Sequence, residues 1–143
     1  MDDIDRSLIR ELSIDARTSV STLARRLGVA RTTVQARLEK LERSGVIAGY
    51  TVKLGDATRL NRIKATVLVR FEPRTGPHVV QRLKSMPEVE VAHTASGRFD
   101  LVLQLGAPNT ERLDKVLDEI GAIKGVQSSE SLIHLSTKID RAI

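Results

Sequence analysis

Ile4, Leu8, Ile9 and Leu12 recur at i, i+4, i+5 and i+8, a spacing that lines them up as one apolar stripe on a helix. Asp2, Asp3 and Asp5 cluster at its start, where the helix macrodipole favours acids. A second helix is predicted from about Val20-Ser21, with Leu23, Ala24 and Leu27 inward and Gly28 as its stop. Val34, Leu38 and Leu41 mark a third, which ends at Gly45. The β-branched run from Val46 to Leu54 reads as extended, a short wing or arm. The next stretch, 55–61, is polar and poor in core residues, and reads as a linker.

From Ile63 onward the period changes to two. Ile63, Ala65, Val67, Val69 and Phe71 alternate with Lys64, Thr66, Leu68, Arg70 and Glu72. Pro73 and Gly76-Pro77 break this strand, and a helix follows with Val79, Val80, Leu83 and Met86 inward, closed by Pro87. Val89, Val91, His93 and Ala95 alternate up to Ser96-Gly97. Leu101, Leu103 and Leu105 give a third strand, stopped by Gly106 and Pro108. Leu113, Val116, Leu117 and Ile120 form another helix, capped by Asn109 or Thr110, before a last strand from about Val126 to Thr137.

The order β-α-β-β-α-β is that of a ferredoxin-like split βαβ sheet. The expected class is therefore α+β: a winged helix-turn-helix domain over 1–54, a linker over 55–61, and a ferredoxin-like domain over 62–143. Both helices of such a domain cover one face of the sheet, assigned here to Ile63, Val67, Val69, Val91, Leu101, Leu103 and Leu135. The other face then shows Leu68, Ala92, Val102 and Leu132 among Thr66, Thr94, Gln104 and His134. Aliphatic residues at the centre of an uncovered face point to a partner, here a second copy of the chain. Scattered surface aliphatics are the plain alternative.

Composition narrows the picture. The 143 residues fit one compact domain or two small ones. Hydrophobic residues make up 41% but aromatics only 2%, so Leu, Val, Ile and Ala must do nearly all the packing. Two small aliphatic cores lean on oligomerisation for stability. The net charge of +5 suits a polyanionic partner, and its distribution is more telling. Arg17, Arg25, Arg26, Arg31, Arg37, Lys40 and Arg43 face only Glu39 and Glu42 between Ala16 and Ser44, so this segment carries the whole excess. The absence of cysteine excludes disulfides and Cys-based zinc sites. With no basic-then-apolar signal region after Met1 and no apolar run of membrane length, the expectation is a soluble cytoplasmic chain with no membrane partner.

Two helices joined through Gly28-Val29-Ala30 have the tight turn of a helix-turn-helix. With Val34, Leu38 and Leu41 inward, the third helix turns Thr32, Ala36, Glu39, Lys40 and Arg43 outward, flanked by Thr33, Gln35 and Arg37. Short hydroxyls suit phosphates, and Gln and Arg suit base edges. Double-stranded DNA is the expected partner. Arg31, Thr32, Thr33, Gln35 and Arg37 are the candidate readers, with Arg25, Arg26 and Lys40 as further DNA-binding cations. An ordinary three-helix bundle with a solvated basic face is the bland alternative.

In this order and spacing the chain resembles the Lrp/AsnC, or feast/famine, regulators over essentially its full length. The resemblance rests on Asp5, Ile9, Leu12, Asp15-Ala16-Arg17, Leu23-Ala24, Gly28, Val34, Arg37, Leu38, Leu41, Gly45-Val46-Ile47 and Gly49-Tyr50. In the second domain, Gly97-Arg98-Phe99-Asp100 resembles the family's effector-loop motif, and Gly125-Val126 precedes the last strand. The resemblance implies a cytoplasmic transcription regulator that dimerises, often associates into octamers, and binds an amino acid as its effector. It departs from the family at Ala30, where a Ser usually caps the recognition helix, at Leu101, where a Tyr is frequent, and at Asn61, where Gly is usual.

The effector site implied is Ser96, Gly97, Arg98, Phe99 and Asp100, with Ser131 from the last strand. Asp100 can accept from an ammonium, Arg98 and the backbone N–H groups near Gly97 can donate to a carboxylate, and Phe99 can wall the side chain. A hairpin turn with Asp as its cap is the structural alternative. Other chemistry is thin. His78, His93 and His134 lie in different elements with no metal-ligand spacing, and His93 reads as a core-edge histidine. There is no phosphate loop or nucleophile elbow, and Ser96 and Ser131 have no evident base, so no catalytic residue, cofactor or metal is expected. A haem-pathway decarboxylase on the same two-domain plan and a DNA-free interaction module remain as rivals.

Overall fold

The computed structural model describes residues 1–55, 58 and 62–141. Met1–Lys53 with Arg141 forms one compact unit and Leu54–Asp140 the other. Most of the expected linker, and Asn61 with it, lies outside the described residues.

The first unit has three helices, α1 (Asp3–Ile14), α2 (Val20–Leu27) and α3 (Arg31–Arg43). Leu8, Leu23, Ala24 and Val34 are its buried centre, with Ile4, Leu12, Val20, Leu27, Val29 and Leu38 packed around them. This is the set that the 3.6-residue period selects. Asp2 caps α1 in a reciprocal box with Asp5: each carboxylate accepts the other residue's N–H, at 3.0 and 3.1 Å. The expected wing is not formed, because residues 46–54 belong to no strand. They run as an arm, tied back by the Ile47 N–H to Leu41 O (3.0 Å) and by the Tyr50 hydroxyl to Glu42 (2.8 Å). A strand needs a neighbour for its ladder, and the arm pairs with none among the described residues; Val46, Tyr50, Val52 and Leu54 stay exposed.

The second unit contains β1 (Ile63–Phe71), α4 (Gly76–Lys84), β2 (Val89–Thr94), β3 (Leu101–Ala107), α5 (Thr110–Gly121) and β4 (Val126–Ile133). The strands lie in the order β2-β3-β1-β4, every neighbouring pair antiparallel. Ala65, Val67, Val69, Leu101, Leu103 and Leu105 face Val79, Leu83, Leu113, Val116 and Ile120 of the two helices in one buried core. Asn109 caps α5, accepting from the Arg112 N–H at 2.8 Å. Two boundaries differ from expectation. Gly106 lies within β3 rather than ending it, and β4 stops at Ile133, four residues before Thr137.

The assignment of sheet faces holds for β1 and β3 and is corrected for β2. The register slips between Val89 and Val91, so Val89 pairs with Leu105 but Val91 with Gln104, Ala92 with Leu103, His93 with Val102 and Thr94 with Leu101. One extra residue inverts every side chain beyond it. Val91 and His93 therefore stand on the open face, while Ala92 and Thr94 share the face of Leu103 and Leu101. His93 is exposed, not a core-edge residue. Glu90 occupies the bulge, with Lys64 Nζ 2.8 Å from Oε2, and its side chain passes over Gly106, where a Cβ would lie 2.0 Å from Oε1. Leu135, placed in the covered face by the sequence, falls beyond β4 and is 95% exposed.

Candidate functional site

Ser19 caps α2, its hydroxyl accepting the Thr22 N–H at 3.1 Å. Gly28 ends the helix in the left-handed region (φ 67°), a conformation that glycine adopts without penalty. This turn sends the chain through Val29, whose N–H bonds Ala24 O at 3.0 Å, into α3. Ala30 sits at the N-cap of α3 without a side-chain bond, as its identity implies.

Along α3, Val34 and Leu41 are buried and Thr33, Arg37 and Leu38 half-buried, while Arg31, Thr32, Gln35, Ala36, Glu39 and Lys40 are exposed. Arg25 and Arg26 are exposed on the last turn of α2. Among the described residues Arg25, Arg31 and Lys40 make no ion pair, whereas Arg26 Nη1 lies 2.7 Å from Glu11 Oε2 on α1.

Among the candidate readers, Arg37 is held by carboxylates of its own domain. Its Nη1 contacts Asp2 Oδ2 and lies 3.5 Å from both oxygens of Asp5, so the guanidinium is tied to the start of α1 rather than projecting with the exposed face. The reason is angular. At about 100° per residue, Arg37 sits about 60° from Val34, on the flank of the buried stripe that borders α1. Asp5 is only 6% exposed. The Asp5 N–H, and after it Arg37, hold the Asp2 carboxyl below its usual range, and Asp2 in turn raises Arg37. The sequence reading missed this cluster. Its one local signal is the Asp-x-x-Asp spacing of the capping box.

In the second unit, residues 95–100 join β2 to β3. Ser96, Gly97 (φ 137°) and Arg98 are exposed, Phe99 and Asp100 half-buried, and the Arg98 guanidinium lies 5.7 Å from the Phe99 ring centre. Asp100 is tied to its neighbours at three points: Oδ2 accepts the Phe71 N–H at 3.0 Å, its N–H donates to Val69 O at 2.8 Å, and its carbonyl accepts the Ala95 N–H at 2.9 Å. Its carboxylate thus serves first as the cap on the end of β1, a contact no sequence pattern announced. Ser131 is exposed on β4 in the row Leu103–Val67–Ser131, whereas the loop joins the sheet at the row Leu101–Val69–Ser129. The chain thus brings Asp100 together with Val69 and Phe71 and leaves Ser131 two strands from β3. Leu101, at the position of the frequent Tyr, is a core residue with 2% exposure.

The histidines do not converge: His78 is on α4, His93 on β2, and His134 Nε2 lies 2.7 Å from Thr66 Oγ1. Among the described residues, no group of three or more His, Cys, Asp or Glu could hold a metal ion, and no helix is long and apolar enough to cross a membrane.

Comparison with known proteins agrees with the two-unit plan. Residues 1–42 match the AsnC-type helix-turn-helix domain and 64–143 the Lrp/AsnC ligand-binding domain. An uncharacterized HTH-type transcriptional regulator of Pyrococcus abyssi is 33% identical over 142 residues, covering 96% of this chain and 94% of the relative. The fold superposes on Escherichia coli AsnC with a TM-score of 0.90 at 26% identity, over 100% of this chain and 97% of that one. It superposes with a TM-score of 0.86, at 31% identity and over 98% and 95% of the two chains, on a feast or famine regulatory protein from Mycobacterium tuberculosis complexed with L-methionine. With both domain models of that family matched, over 1–42 and 64–143, this chain belongs to the Lrp/AsnC family of transcriptional regulators.

Proposed function

We propose that this regulator binds double-stranded DNA by laying α3 in the major groove, and that an amino acid bound at the loop 96–100 modulates it. Arg31, Thr32 and Gln35 are the residues read against base edges and adjacent phosphates, with Thr33 at the margin. Arg25, Arg26 and Lys40 neutralise the flanking backbone. The observation that carries the reading is the exposed start of α3, where Arg31, Thr32 and Gln35 face outward and, among the described residues, neither Arg31 nor Arg25 makes an ion pair. The first turns of a recognition helix enter the groove most deeply, and an uncommitted guanidinium there is free to take a guanine edge or a phosphate.

The effector reading is supported by the motif Gly97-Arg98-Phe99-Asp100 and by the L-methionine complex of the mycobacterial relative. The chain acts in the cytoplasm and as a dimer, built by the open face of the sheet. Nothing in the positions of His78, His93 and His134, or in the comparisons, favours the decarboxylase alternative.

The test of DNA recognition is a mobility-shift titration, at two stated salt concentrations, on a duplex selected from a random-sequence pool by the wild-type protein. Gln35→Ala and Arg31→Ala should each cost about 1–3 kcal/mol on that duplex if they read bases. Arg25→Ala should weaken all sequences alike and lower the salt slope by about one. Unchanged affinity in all three variants would refute the assignment of α3.

A further inference from the structure

Arg37 is the one residue of α3 that joins it to α1 by ion pairs among the described residues, and both of its partners have a second duty. Asp2 and Asp5 cap α1 by accepting each other's N–H. Asp5 is also nearly buried, and a buried carboxylate is tolerated only when its charge is met. The side chain of Arg37 is itself only 32% exposed. The cluster therefore links the first turn of α1 to the second turn of α3, on the flank of the helix that borders α1 rather than on its exposed face.

We propose that Arg37 is a positioning residue: through Asp2 and Asp5 it sets the seating of α3 on α1, and so the presentation of Arg31, Thr32 and Gln35, without itself touching DNA. The inference rests on the reading that α3 enters the groove. Hydrophobic contacts from Val34, Leu38 and Leu41 hold α3 to the core but are non-directional. A guanidinium facing two carboxylates adds a fixed geometry, and groups that read base edges must be held to within about half an ångström.

The two roles open to Arg37 make opposite predictions for its partner. Asn is as good an N-cap as Asp, so Asp2→Asn keeps the cap on α1 and removes both the charge and the acceptor oxygen facing Arg37. Asp3→Asn removes an equal charge one residue away; the Asp3 side chain is 99% exposed and among the described residues pairs only with Arg6, which makes it the control for general electrostatics. A positioning role predicts that Asp2→Asn weakens binding relative to Asp3→Asn. A DNA-contacting role predicts that Asp2→Asn releases Arg37 and tightens binding.

The experiment measures the affinity of full-length variants for the selected duplex across a salt series, at a temperature where far-UV circular dichroism shows each one folded. Asp2→Asn and Arg37→Met are expected to weaken binding on the order of fivefold each, with the double variant no weaker than either single one. The slope of log K against log salt should stay at the wild-type value, and Arg37→Lys should restore part of the loss. Tighter binding by Asp2→Asn, with a salt slope lowered by about one in Arg37→Met, overturns the proposal and makes Arg37 a DNA contact. Wild-type affinity in both variants overturns it as well, leaving the cluster a role in stability alone. If Arg31→Ala and Gln35→Ala weaken binding in the same series, such a failure concerns Arg37 only. If they too leave affinity unchanged, the groove-entry reading falls and this inference with it.

Discussion

Asp100 shows how one side chain can satisfy both a structural and a ligand-binding reading. Its Oδ2 anchors the Phe71 N–H, so replacement by Ala removes a cap as well as a charge and should cost about 1 kcal/mol of stability. Asp100→Asn separates the two, because an amide oxygen can still accept that N–H while the charge that would meet an ammonium is gone. A thermal-shift screen against the twenty amino acids, with L-methionine as the first probe, should show stabilisation of the wild type. At a hundredfold excess over the dissociation constant the gain is about 2.7 kcal/mol. Asp100→Asn should keep its unliganded melting temperature and lose the shift. Equal shifts in both proteins would move the site elsewhere.

Helix ends carry a prediction at the scale of the element. Asp2, Ser19 and Asn109 cap α1, α2 and α5 with side-chain oxygens, but Ala30 leaves α3 without one. The extended backbone of Ala30 (φ −71°, ψ 151°) is already that of an N-cap residue, so a hydroxyl needs no rearrangement to reach the N–H groups of the first turn. Ala30→Ser should stabilise the first unit by about 1 kcal/mol, read as a higher urea midpoint at unchanged slope. A midpoint at or below that of the wild type would mean that the α3 terminus is satisfied by other means. The bulge in β2 belongs to the same scale. A single residue, Glu90, exchanges Val91 and Ala92 between faces and brings His93 out of the core.

For the whole molecule, the bulge changes what the sheet offers to a partner. The face away from the helices now holds Leu68, Val91, Val102 and Leu132, with His93 and the Thr66–His134 pair among them. Val91 is 37% and Leu132 50% exposed, a sizeable apolar surface for a chain of this size. Covering it with the same face of a second copy is the arrangement a two-fold dimer allows. Light scattering at micromolar concentration should therefore give about twice 15.8 kDa. Leu132→Glu, which adds a charge to the exposed apolar surface on the β4 edge of that face, should shift the protein toward the monomer while leaving its circular dichroism unchanged. A wild type of monomer mass, or a Leu132→Glu variant that remains dimeric, would count against this face.

The elements of this protein were readable because their causes are local. Helix stripes repeat within four residues, strands alternate within two, and Gly28 and Asn109 act on their immediate neighbours. The order β-α-β-β-α-β then allowed few sheets, and the pairing β2-β3-β1-β4 is the one expected of it. The side-chain roles were less legible because their causes are remote. Arg37 meets Asp2 across 35 positions and Asp100 meets Phe71 across 29, with no periodicity to connect either pair. The bulge at Glu90 arises where the Glu90 side chain must pass over Gly106 and reach Lys64, contacts between strands that only their registration creates. The sequence by itself therefore determined which segments fold and in what order they stack. Tertiary structure decided which charges remain free for DNA or ligand, because an ion pair or a cap depends on distances between parts of the chain that no local pattern encodes.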